Sequence, residues 1–126
     1  MNTIGFYAVM CVSDMARATE WYARLFGREP DARPMDWLVQ WWREGGGLQV
    51  WRDADRAGHS LTTIIVADMA AERARLQAVG LELSPDNQGD WGIVAQISDP
   101  DGNRITLAEP PRGASGTRSN AQGLSP

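Results

Sequence analysis

Val12-Ser13-Asp14-Met15 recurs as Val66-Ala67-Asp68-Met69, 54 residues further along a chain of 126. Self-similarity at a long interval means one supersecondary unit used more than once, and that decides the fold. Each copy follows an apolar run, Ile4–Val12 (IGFYAVMCV) in the first case and Leu61–Ala67 (LTTIIVA) in the second. Both runs read as strands. Ser13 and Asp14, and later Asp68, offer helix N-caps. After the first cap, Met15, Ala18, Trp21, Tyr22 and Leu25 recur at helical spacing to about Phe26, so Trp21 is expected to face the core. Gly27 stops that helix, and Gly80 stops its counterpart, MAAERARLQAV.

Further strands follow each glycine. Pro30 and Pro34 leave room only for a short, edge-like strand between them. The stretch from Trp37 to Trp51, WLVQWWREGGGLQVW, then reads as a hairpin broken at its glycines. In the second half Leu81–Leu83 reads as a short strand and Pro85–Asp90 as loop. Trp91–Ser98 and Arg104–Ala108 are strands joined by the turn sequence Asp99-Pro100-Asp101-Gly102-Asn103. The unit is therefore βαβββ, used twice. The fold class is α+β, with a curved mixed sheet forming a cup and the helices outside. Neither copy alone could bury both its helix and its sheet, so residues 1–110 are expected to form one domain. Module one spans 4–52 and module two 61–109, with a polar linker, RDADRAGHS, between them. Residues 111–126 carry almost no apolar content and are expected to be a disordered tail.

The hairpin holds four of the six tryptophans in fifteen positions. Alternation puts Leu38, Gln40 and Trp42 on one face and Trp37, Val39 and Trp41 on the other. In the second run Gln49 and Trp51 share a face, opposite Leu48 and Val50. With Glu44-Gly45-Gly46-Gly47 as the turn, Trp42 lies across from Gln49 and Gln40 across from Trp51. A three-residue turn would reverse the parity of the first strand. One face then carries Gln and Trp, and the other carries Val, Trp, Leu and Val as core. Tryptophan-rich strands are often plain packing, but that reading is less comfortable for a face that alternates Gln with Trp, since buried amides need hydrogen-bond partners. Flat rings with a few amides suit a flat, partly polar small molecule.

Composition narrows the partners. Net charge is −4, every basic residue is arginine, and no basic cluster exists, which argues against nucleic acid and anionic membranes. Cys11, the single cysteine, lies in an apolar run and reads as a small buried hydrophobe; no disulfide framework can form within the chain. No signal-peptide pattern and no apolar segment of membrane-spanning length is present, so a cytoplasmic location is expected.

Two segments, YAVMCVSDMARATEWYARLFG and ISDPDGNRITLAEP, resemble the vicinal oxygen chelate superfamily, also called glyoxalase/bleomycin resistance/dioxygenase. The resemblance covers about residues 4 to 110. It implies the same two-module fold and, for the superfamily's enzymes, a divalent metal held by His, Glu or Gln on four strands. Carried over position by position, those sites are Tyr7, Gln49, Leu61 and Thr106. Of these only Gln49 is a plausible ligand, and Leu61 cannot coordinate anything. Lewis-acid and oxygenation chemistry in the superfamily depends on that metal, so no metal and no other cofactor is expected. His59, the lone histidine, falls in the polar linker and reads as a surface residue. Asp99 and Asp101 belong to a Pro/Gly turn and read as structural. No nucleophile–base arrangement and no phosphate loop is suggested by spacing, so no catalytic residue is assigned.

The resemblance points to its metal-free, antibiotic-binding branch. The expected function is stoichiometric capture of a planar or bulky antibiotic, bleomycin-, mitomycin- or enediyne-like. In this reading Trp42 and Trp51 stack on the ligand, with Trp37 and Trp91 as rims and Leu38 beside them. Gln40 and Gln49 hydrogen-bond it, and Tyr7 and Thr106 fill the vacated metal site. Members of the branch imply a homodimer with pockets at the interface. The alternatives are a metal-dependent lyase, isomerase or dioxygenase of the same superfamily with unusual ligands, and a small module without a ligand.

Overall fold

The computed structural model describes residues 1–111. Apart from Pro111, the expected disordered tail lies outside the described residues. The described chain divides into two compact units, Met1–Thr62 with Ser98–Arg104, and Thr63–Ile97 with the described residues from Ile105 onward.

The first βαβββ module consists of β1 (Phe6–Val12), α1 (Met15–Phe26), β2 (Ala32–Met35), β3 (Leu38–Arg43) and β4 (Gly46–Arg52). Its strands form a mixed sheet of order β1-β4-β3-β2, with β1 parallel to β4 and the other pairs antiparallel. The second module repeats the pattern with β5 (Leu61–Ile65), α2 (Met69–Ala78), β6 (Asn87–Gly89), β7 (Gly92–Ser98) and β8 (Arg104–Glu109). Its sheet has the order β5-β8-β7-β6. The fold is therefore α+β, two βαβββ modules, and the repeated motif begins each helix the same way. Asp14 Oδ1 accepts from the Arg17 amide at 3.0 Å, and Asp68 Oδ1 accepts from the Ala71 amide at 3.1 Å. Each carboxylate satisfies an otherwise unpaired N–H of a first turn, worth about 1 kcal/mol. Gly27 ends α1 in the left-handed conformation, with φ of 74°.

The first unit's core is aromatic. Val39, Trp41, Leu48 and Val50 are buried together with Trp21, Tyr22 and Leu25 of α1. The Trp41 ring lies 5.4 Å from Phe26 and 6.1 Å from Tyr22, and its Nε1 donates to the Arg28 carbonyl at 3.0 Å. A buried indole thus keeps its one polar atom satisfied. Cys11 is buried too.

The Asp-Pro-Asp-Gly-Asn segment forms a turn, as its composition foretold, and is also a polar anchor inside this unit. Asn103 is fully buried; its Nδ2 donates to the Cys11 carbonyl and to Asp99 Oδ2, both at 2.7 Å, and its Oδ1 accepts from the Ser60 amide at 2.8 Å. Asp99 Oδ2 also accepts from the Tyr22 hydroxyl at 2.7 Å. Burial first, and then the Asp99 charge, push the Tyr22 phenol far above its usual range, so it stays a donor. Asp101 accepts from the Ser13 amide and hydroxyl.

Two strand expectations need correction. Leu81 and Leu83 alternate as a strand would, yet they are buried outside any strand, and the second strand of the second module is Asn87–Gly89, within the expected loop. Position across from β7, not propensity, makes that segment a strand. The hairpin between β3 and β4 turns on two residues, Glu44 and Gly45, since Arg43 pairs with Gly46. That moves the register by two places from the expected one. Among the described residues no helix is long and apolar enough to cross a membrane.

Candidate functional site

Because the register moved by an even number, the expected faces survive while the cross-strand partners change. Gln40 lies directly across from Gln49, Trp42 across from Gly47, and Leu38 across from Trp51. On the other side of β4, Tyr7 lies level with Gly47, Val9 with Gln49 and Cys11 with Trp51. Three rows therefore cross one face of the first sheet: Tyr7, Gly47, Trp42; then Val9, Gln49, Gln40; then Cys11, Trp51, Leu38.

In the first row no side chain stands between the tyrosine and the indole. Only glycine fits at 47, where φ is +138° and a Cβ would lie 2.0 Å from the Trp41 carbonyl oxygen. Trp42 is 50% exposed and Tyr7 41%. In the second row Gln40 and Gln49 are partly exposed. Their amide oxygens are occupied: Gln40 Oε1 accepts from Trp42 Nε1 at 2.8 Å, and Gln49 Oε1 accepts from Trp51 Nε1 at 2.9 Å. Each indole leans back along its strand to reach the amide two residues before it. Ring and amide thus hold each other in place.

Trp37 departs from the expected alternation. It precedes β3 in a turn, is released from the pleat, and meets Trp51 edge-on with ring centroids 5.4 Å apart. It thus joins the Gln/Trp face and not the core. Leu38 is on that face but buried.

The backbone of Trp42 is held by two residues that carry no sequence signal for this role. Asp31 Oδ2 accepts from the Trp42 amide at 2.6 Å, and Arg28 donates to its carbonyl at 2.8 Å. Arg28 and Asp31 are themselves paired at 2.6 Å. The Trp42 amide first, and then Arg28, hold the Asp31 carboxyl below the usual carboxylate range.

The structure gathers Tyr7, Trp37, Leu38, Gln40, Trp42, Gln49 and Trp51 on the first sheet. Thr106 and Trp91 belong to the second unit. Thr106 Oγ1 accepts from Gln96 Nε2 at 3.1 Å, and Trp91 is an exposed residue in the turn between β6 and β7. Leu61 is on β5, an edge strand, and exposed; His59 is exposed in the linker, as expected.

The superfamily's metal positions do not fit a cation in this chain. Leu61 has no donor atom, and the Gln49 oxygen is engaged by Trp51. Among the described residues no group of three or more His, Cys, Asp or Glu side chains is placed to hold a metal ion.

The sequence matches the model of the glyoxalase-like domain family over residues 7–108. No curated protein matches it. Among solved structures, the chain is similar to a glyoxalase/bleomycin resistance protein from Catenulispora acidiphila DSM 44928, at 30% identity and a TM-score of 0.79. That match covers 86% of this chain and 99% of that one. It is also similar to an antibiotic binding protein from Streptomyces sp. CB03234, at 26% identity and a TM-score of 0.70, covering 88% of this chain and all (100%) of the other. A bleomycin-binding protein from Streptomyces verticillus, complexed with copper(II)-bleomycin, shares the fold at 18% identity and a TM-score of 0.70. The match covers 88% of this chain and 99% of that one.

Proposed function

The chain belongs to the glyoxalase-like domain family, and from that premise we propose that it is a metal-free binding protein that captures a planar, antibiotic-like molecule. One observation carries this reading. The Gln/Trp face presents two partly exposed indoles, each fixed by an amide two residues away, where packing alone would have buried the rings. Aromatic stacking contributes about 0.5–1.5 kcal/mol per ring pair beyond the area buried. Two or three such contacts, with the ligand largely enclosed, reach useful affinity without chemistry. Similarity to an antibiotic binding protein across the full length of that chain supports the same reading.

Under this proposal capture is stoichiometric, and the toxin is withheld from its target. Trp42 and Trp51 stack on the ligand, Trp37 braces Trp51, and Tyr7 closes the open end of the first row. The protein acts as a cytoplasmic homodimer, and the apolar edge strand β1 supports a second copy at that edge. Intrinsic fluorescence tests the binding reading. Titration with planar DNA-damaging natural products should quench tryptophan emission saturably, and Trp51→Ala should remove most of that response. An emission spectrum unmoved by every such compound would leave the Gln/Trp face as packing alone.

A further inference from the structure

We infer that Gln40 and Gln49 offer the ligand their unpaired amide NH2 donors, so that the Gln/Trp face selects planar aromatic ligands that carry acceptor oxygens, of the quinone or ring-carbonyl type, at mid-length. The inference rests on the binding reading above and sharpens it.

A carboxamide offers an acceptor oxygen and a donor NH2, and the two are easily interchanged in assignment. Here the neighbour removes the ambiguity. An indole N–H can only donate, so the atom it meets must be oxygen. Both glutamines are therefore fixed with oxygen towards Trp42 and Trp51 respectively. Among the described residues neither Nε2 has an acceptor of its own, so two NH2 groups are left to be satisfied from outside the chain.

Register then sets their arrangement. Gln40 and Gln49 are directly paired on antiparallel strands, so their Cβ atoms lie about 5 Å apart. Each begins a Gln-x-Trp segment, Gln40-Trp41-Trp42 and Gln49-Val50-Trp51, and the strands run in opposite directions. The result is a local two-fold arrangement, with paired donors at the centre and one indole on either side. Trp42 and Trp51 are four strand positions apart, which places their Cα atoms about 14 Å apart along the strands. A tricyclic or longer ring system reaches both indoles, and its central substituents then fall at the amides. None of the nine residues in the three rows is a carboxylate, and Trp37, beside Trp51, adds only another donor.

The test is calorimetric titration of the full chain with a matched pair of probes. One is an anthraquinone and the other an anthracene, each carrying the same neutral polyethylene glycol chain. The anthraquinone is expected to bind at least tenfold more tightly. Gln40→Glu and Gln49→Glu, made singly, keep an oxygen for the indole but delete the donor. Each should cut the anthraquinone's advantage over the anthracene severalfold. Circular dichroism and the emission spectrum establish that the variants are folded. Equal binding of both probes by the unaltered protein would overturn the donor rule and leave ring capture standing. Binding of neither would overturn ring capture as well. An advantage that survives both substitutions would place the selecting donors elsewhere and so refute the assignment to Gln40 and Gln49.

Discussion

Asp31 reaches across from the segment before β2 to occupy the Trp42 amide, so one carboxylate fixes where an exposed indole stands. Its pKa is depressed by that amide and by Arg28. The contribution is therefore fully present above the unfolded-state value of about 3.9 and is lost as pH falls through the lower folded value. Trp42 emission, taken as the difference between the protein and Trp42→Phe, should be constant from pH 8 to 5 and change only below about pH 4. Asp31→Ala should show at neutral pH the spectrum that the unaltered protein reaches only in acid. A transition centred near pH 6 would mean that another group governs Trp42. The alternation of Gln with Trp was legible from strand periodicity alone. The Arg28–Asp31 clamp was not, because it joins residues 11 and 14 positions apart with no periodic or motif signal. The faces of Trp37 were also hidden, since a turn residue is freed from the alternation that the rest of its run obeys.

At the level of elements, the β3–β4 hairpin was readable as a hairpin, but its register depended on which of three glycines made the turn. Only the backbone distinguishes them. Gly45 turns the chain, while Gly46 and Gly47 are strand residues whose missing Cβ atoms let neighbouring carbonyls approach. Gly47→Ala forces a side chain against the Trp41 carbonyl in a conformation that L-residues avoid, costing about 1–3 kcal/mol from backbone strain. A lowered urea midpoint with reduced quenching by planar ligands is the expected outcome. An unchanged midpoint would show that the row Tyr7, Gly47, Trp42 does not need its bare centre. Both helices were legible because cap and terminal glycine agree, joined in α1 by apolar periodicity. Leu81–Leu83 misled for the opposite reason: apolar alternation marks burial, and burial does not require a ladder. Asn87–Gly89 has little intrinsic strand preference and owes its state to pairing with β7.

For the molecule as a whole, the repeat in the sequence foretold two βαβββ modules. The compact units do not follow the modules, however, because Ser98–Arg104 belongs with the first. Oligomerisation is a prediction at this scale. Phe6 on edge strand β1 is 79% exposed and Ile4 just before it 95%, an apolar edge that invites pairing unless something covers it. Light scattering should give the mass of two chains, and Phe6→Glu should give that of one. A single-chain mass for the unaltered protein at micromolar concentration would rule out the homodimer. The anchoring turn has one more consequence, for the order in which the protein is made. Tyr22 and Cys11 emerge from the ribosome early, but their partners Asp99 and Asn103 follow 77 and 92 residues later. The N-terminal repeat must therefore wait, incompletely bonded, until nearly all of the described chain has been translated. Cutting the gene between its two repeats would not yield two self-sufficient halves.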